Sequence, residues 1–255
     1  VVPEKLKVSV ASIAGGSVFF VGAISYTLAL AQWNAQVSPN IPWFPLPVLG
    51  VLLVLVFWID RRWPIGLVLP KAAPWGKIAI FAVASMVAGH CVLILEAAFH
   101  GATRSVEAAP DGVGPVFAIV YWIGFAISIS IASEVAYRGL MQGRMTPLFG
   151  VWPAILIVTL VNTISHRWDG LEERALFLAA IVFAWGALRH LSGSLIPCIL
   201  AHIGALVVWD AILRIRGPWD FSQTSTYTLW AVSLLGLVAL TVSIHTARMI
   251  QSRSL

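Results

Sequence analysis

Eight times along the chain an apolar run of roughly 16–27 residues gives way to a short polar connection, and about 20 such residues are what a helix needs to cross a hydrocarbon core of about 30 Å. The runs lie at roughly 9–32, 44–59, 78–99, 115–141, 151–166, 174–190, 195–213 and 226–247. Of the 255 residues 59% are apolar and only 11% charged, with a mean hydropathy of +0.90. A soluble domain carries about 25% charged residues, so this chain cannot cover a surface of its own with water-loving groups. A soluble enzyme, a disordered chain, a disulfide scaffold and a nucleic-acid binder are thereby excluded. Cys91 and Cys198 both fall inside apolar runs, so neither a disulfide nor a thiolate metal site is indicated. The first run is of span length and lacks a small-residue cleavage site, which reads as a span and not a leader. The expected architecture is an all-α polytopic membrane bundle of about eight transmembrane helices, residues 1–255 forming a single domain.

The basic residues orient it. Counting alternate connections from the N-terminus, one side holds Lys5, Lys7, Arg61, Arg62, Lys71, Lys77, Arg138, Arg144, Arg189, Arg248 and Arg253. The other holds Arg104, Arg167, Arg174, Arg214 and Arg216, so eleven stand against five and both termini are expected in the cytoplasm. The net charge of +5 is then mostly a topology signal together with attraction to anionic membrane lipids. Trp33, Trp43, Trp63, Trp75, Trp168 and Trp219 fall near the span ends, as an interfacial aromatic belt requires.

Ionisable side chains inside a span are costly unless paired or hydrated, so each needs a reason. They are His90 and Glu96 in the third span, Glu134 and Arg138 in the fourth, His166 closing the fifth, and His202 and Asp210 in the seventh. Asn162 lies one turn before His166 and shares its helix face. Glu134 stands fourteen residues before Leu148 and His166 eighteen after it. With a turn near Thr146–Gly150, a rise of about 1.5 Å per residue puts both roughly 20–27 Å from that turn. An antiparallel hairpin would bring them to one level, provided the fourth helix continues past Arg138. His202 can face the same cavity.

A Glu/His/His cluster has two chemistries. A carboxylate can take a proton from water while histidines orient it or stabilise an oxyanion. Alternatively, two histidines and a carboxylate can hold zinc with one open position, but the chain lacks HExxH, the strongest zinc signature, so no cofactor is assigned. Plainer roles stand beside these. Glu134 with Arg138, and Asp210 with Arg214, have the i, i+4 spacing of ion pairs within a helix. His166 beside Arg167 and Trp168 suits an interface, His202 suits a buried hydrogen bond, and His90 and Glu96 suit polar contacts inside the bundle.

The segment Ser133-Glu134-Val135-Ala136-Tyr137-Arg138-Gly139 resembles the first motif of the CPBP family, the CAAX protease and bacteriocin-processing intramembrane peptidases. That motif has two glutamates, then after three residues an arginine, usually followed by glycine. His166 resembles the end of the second motif, a phenylalanine followed four residues later by histidine. Gly186-Ala187-Leu188-Arg189, Gly193-Ser194-Leu195-Ile196-Pro197 and Ala201-His202 are similar to the third block, in which the histidine is followed four residues later by asparagine. The likeness places a CPBP-like core at about residues 115–213, in a bacterial cytoplasmic (inner) membrane.

Departures from the pattern bear on activity. Ser133 stands where the family has its water-activating glutamate, Asn162 where it has phenylalanine, and Leu206 where it has asparagine. Loss of a general base costs about 10²–10⁴-fold, and of one oxyanion donor about 10²–10³-fold. The resemblance therefore implies a catalytically impaired member acting as an accessory or scaffold subunit, with membrane lipids and an integral membrane protein as partners. The alternative is an active intramembrane endopeptidase on a peptide or prenylated substrate, with Glu134 as base, His166 orienting water, His202 and Asn162 stabilising the oxyanion, and Arg138 pairing with Glu134. A transporter is disfavoured, because no paired broken helices are evident.

Overall fold

The computed structural model describes residues 4–69, 75–104, 109–166 and 174–252. Helices occupy each expected region: α1 (Glu4–Val37), α2 (Pro45–Arg62), α3 (Trp75–His100), α4 (Pro115–Glu134), α5 (Gly143–Phe149), α6 (Val151–Ser165), α7 (Ala175–Ser192), α8 (Ile196–Arg216) and α9 (Thr226–Gln251). A π-helical segment, Val135–Gln142, joins α4 to α5, making one continuous rod from Pro115 to Phe149. The chain is thus an all-α polytopic membrane protein.

Six of the described helices are long and apolar enough to cross a membrane, fewer than the eight spans expected. The two that fall short are α2 and α6. Asp60, Arg61 and Arg62 close α2, so its last turn carries three charges. The 15 residues of α6 reach only about 22 Å at 1.5 Å each. The turn expected near Thr146–Gly150 is also sharper than anticipated. Pro147 sits inside α5, and the reversal falls on Gly150 alone, whose φ of 85° suits a residue without Cβ.

Local sequence explains the helix ends. Proline stands in the first turn of α2, α4 and α8, where its missing N–H removes no helical bond. Gly193, at φ 64°, closes α7 in the left-handed conformation. Asn34, fully buried, builds the α1–α2 corner: its Oδ1 accepts from the N–H groups of Trp43 and Phe44, and its Nδ2 donates to the carbonyl of Ile41. At the other end of α2, Asp60 Oδ1 accepts from the N–H groups of Ile65 and Gly66.

Around the rod, α1 and α6 pack on the π segment, α2 and α8 on α4, and α3 on both α7 and α9. All eight π-segment residues are buried, which makes this stretch the axis of the molecule. A two-stranded ribbon pairs Thr103–Arg104 with Trp219–Asp220 beside the end of α3. Cys91 and Cys198 are free and buried.

Candidate functional site

The polar centre lies where the rod meets α7 and α8. Glu134 closes α4 and is completely buried; Arg138, one turn later in the π segment, is 1% exposed. Arg138 Nη1 stands 3.2 Å from Glu134 Oε1, which realises the expected i, i+4 ion pair. His202, from α8, donates from Nδ1 to the same oxygen at 2.9 Å. One carboxylate oxygen therefore gathers a guanidinium and an imidazole, while Oε2 meets no hydrogen-bond partner.

Helix α7 supplies the floor. The Trp185 ring stacks on His202 with centroids 4.2 Å apart and planes 29° from parallel. Arg138 stands 5.5 Å above the same ring. Its Nη2 donates to the carbonyl of Val182 at 2.9 Å, and one turn along, Gln142 Nε2 donates to that of Gly186 at 3.0 Å. The spacing is matched: 138 and 142 on the rod face 182 and 186 on α7, four residues apart on each. Cys198 Sγ donates to the Trp185 carbonyl at 3.4 Å, pinning the start of α8 to the same place.

The glycines of this region work through closeness. A Cβ on Gly186 would stand 2.8 Å from Ile155 Cγ2, and one on Gly139 would stand 3.1 Å from Ile65 Cβ. Gly139 thus admits the loop after α2 against the π segment. Arg189 Nη2 then donates to the Ile65 carbonyl at 2.9 Å, and the Leu195 N–H to that of Gly66 at 2.9 Å. Ser194 Oγ accepts from the Ile196 N–H at 3.2 Å and starts α8. These residues from the first and third motifs set backbone positions.

His166 and Asn162 occupy a different neighbourhood. His166 ends α6 half-buried, its Nδ1 donating to the Asn162 carbonyl at 2.9 Å. The Ser165 hydroxyl donates to that same carbonyl at 2.6 Å and lies 3.0 Å from the Tyr137 hydroxyl. So the fourth and fifth expected spans, the rod and α6, do meet, but through Tyr137 and Ser165. The carboxylate of Glu134 is joined to His202 instead. Asn162 is buried in α6, and Leu206 is half-buried in α8, one turn beyond His202.

Among the described residues no three His, Cys, Asp or Glu side chains converge on one point. Glu134 and His202 make two ligands where a catalytic zinc takes three. Arg138, moreover, holds a positive charge where a metal would sit, so the residues present do not fit zinc. Two open surface hollows lie elsewhere, one against α1, α5 and α6 and one at Gln32 and Asp111.

Two residues of the site, Trp185 and Gln142, carry no signal in the sequence except a place beside Gly186 and a spacing from Arg138, and the partners of a third residue, Glu96, carry none either. Glu96, expected to make a polar contact inside the bundle, is a buried carboxylate whose Oε1 and Oε2 accept from the N–H groups of Leu176 and Phe177 at 2.8 and 2.9 Å. His90 donates to the Met86 carbonyl and lies against Phe177 and Trp209, so both polar groups of the third span contact the bundle interior as expected. The side chains of Asp210 and Arg214, together with Arg167 and Trp168, lie outside the described residues.

Residues 115–208 match the family model described as type II CAAX prenyl endopeptidase Rce1-like. The match begins at the first residue of α4 and includes Glu134, Arg138, His166, Trp185 and His202. No curated protein and no solved structure matches the chain.

Proposed function

Because residues 115–208 form a CPBP-family domain in an all-α membrane protein, we propose that this chain is a catalytically impaired CPBP-like protein serving as an accessory or scaffold subunit of a membrane complex. The observation that carries this reading is the use made of Glu134. Ser133 replaces the glutamate that the family uses on water, and the carboxylate next to it is fully buried with Oε1 engaged by Arg138 and His202. A serine hydroxyl is no general base near neutral pH, and Leu206 offers no donor to an oxyanion. What persists from the motifs builds the fold: Gly139 and Gly186 allow close approach, and Arg189 and Ser194 fix the loop and the start of α8. The basic-residue count supports a cytoplasmic placement of both termini, and the family likeness a bacterial inner membrane.

A second reading has one observation in its favour. Glu134 Oε2 has no hydrogen-bond partner, and the His202 side chain beside it is 13% exposed. An active endopeptidase would use that free oxygen to take a proton from water.

The test joins a cleavage assay on a prenylated CAAX peptide to the mass of the protein extracted from its own membrane in mild detergent. The expected result is no cleavage by the native chain and a stoichiometric membrane partner retained through washing. Cleavage that appears only in the Ser133→Glu, Leu206→Asn double variant would sharpen the proposal. Native cleavage lost in Glu134→Gln overturns it in favour of the second reading.

A further inference from the structure

Away from the polar centre, an open groove of about 280 Å³ runs between the start of α1 and the end of the rod. Its lining is almost wholly apolar, with Ile13 on α1, Met145 and Phe149 on α5, and Ile157 on α6. Lys5 stands at one end, its Nζ 6.0 Å above the Phe149 ring. The Ser9 hydroxyl, the lining's other polar group, is turned back onto the Lys5 carbonyl at 2.7 Å. Lys5 and Ile13 are eight residues apart on one helix, so the hollow continues about 12 Å from the ammonium into the apolar layer.

We propose that this hollow is a site for one anionic phospholipid, its phosphate on Lys5 and an acyl chain along Ile13, Phe149 and Ile157. The two ends differ in chemistry as the two parts of such a lipid do. The ammonium is exposed at a helix end, where headgroups lie, and the lining below it offers a ligand nothing but apolar contact. A zwitterionic lipid would fill the same hollow without a net charge to match Lys5, so the site selects by headgroup. A lysine near an anionic membrane surface contributes about 1 kcal/mol, which is about five-fold in affinity. The site is separate from the Glu134 cluster and does not depend on the accessory-subunit reading.

The test is lipid retention. The purified full-length protein is equilibrated with equimolar phosphatidylglycerol and phosphatidylcholine, exchanged into detergent, and weighed intact by native mass spectrometry. The expected result is one phosphatidylglycerol retained in preference to phosphatidylcholine. Lys5→Gln should weaken that retention about five-fold, Lys5→Arg should keep it, and Ser9→Phe should abolish it for both lipids by filling the hollow. Lys5 is exposed and Ser9 half-buried, and an unchanged melting temperature checks that each variant is folded. Equal retention of the two lipids overturns the proposal, as does retention indifferent to Lys5→Gln or to Ser9→Phe. Displacement of the lipid by inorganic phosphate alone also overturns it, since the hollow would then add nothing.

Discussion

Among the described residues two glutamates are buried, and their surroundings differ. Glu96 on α3 faces the first turn of α7, where both carboxylate oxygens take backbone N–H groups that no helical carbonyl can reach. The positive end of the helix dipole suits its charge. Glu134 on the rod has one oxygen shared by Arg138 and His202 and the other without a partner. The first carboxylate is satisfied by backbone, so its contribution is to hold α7 against α3. The second is satisfied by charge and only on one side, so it joins the rod to α8 and keeps an acceptor unused. Burial alone therefore does not tell the two acids apart; the completeness of their hydrogen bonds does.

The contrast breaks most visibly at Arg138. Replacing it with methionine removes the guanidinium but leaves Glu134 in the interior, and an uncompensated buried charge costs about 3–5 kcal/mol. The expected outcome is a large drop in thermal stability in detergent, much of it recovered when Glu134→Gln is added. A loss below about 1 kcal/mol would mean that water reaches Glu134 and that the two acids are alike.

Glu96→Ala comes next. It deprives the amides of Leu176 and Phe177 of their acceptors, at a cost of about 2–3 kcal/mol. The damage should be local, with faster hydrogen exchange at the start of α7 and no change at residues 134–142. Glu96→Gln keeps one good acceptor and should lose about half as much. Equal exchange across both regions would show that the two acids report on a single cooperative unit.

Much of this was legible beforehand, for physical reasons. Apolar runs show where helices form, so each of the eight regions holds one; their ends are less legible, the rod running on to Phe149 past the expected 141. The Glu134–Arg138 pair follows from i, i+4 spacing, and the meeting of the rod with α6 follows from rise per residue. What escaped was set by packing in three dimensions. Nothing in Val135-Ala136-Tyr137-Arg138 announces π winding, and that winding sets where Arg138 and Gln142 emerge. The hairpin arithmetic fixed a depth but not a rotation, so it could not tell that Tyr137 would reach α6 while Glu134 turned to His202. Trp185 shows no pattern along α7 that separates it from any other core aromatic. Glu96 was found as an anomaly, but its partners lie eighty residues away in the chain.

Trp185→Phe tests whether the platform under His202 matters. Phenylalanine keeps a ring but removes part of the stack and weakens the contact with Arg138, so about 1 kcal/mol should be lost. The His202 imidazole resonances should shift in the variant, because they lie over the ring that changes. An unshifted imidazole would mean that Glu134 alone positions His202.

The smallest effect is expected at the opposite extreme, around Ser85 in the contact between α3 and α9. Ser85 donates to Ser243 Oγ at 3.3 Å, and Ser243 in turn donates to the Ala239 carbonyl of its own helix at 3.0 Å. Removing the Ser85 hydroxyl leaves Ser243 with that internal bond, so no buried donor is stranded. Hydrogen bonds between membrane helices contribute about 0.6 kcal/mol on average, since the separated helices also find partners. Ser85→Ala should therefore cost about that much. Gly236→Ala at the same contact should cost more, because its Cβ would stand 3.0 Å from Cys91 Cβ and push α9 away. If the serine proved as costly as the glycine, polar contacts would hold the outer helices as they hold the centre. The distinction between a charge-clasped axis and a shape-fitted periphery would then fail.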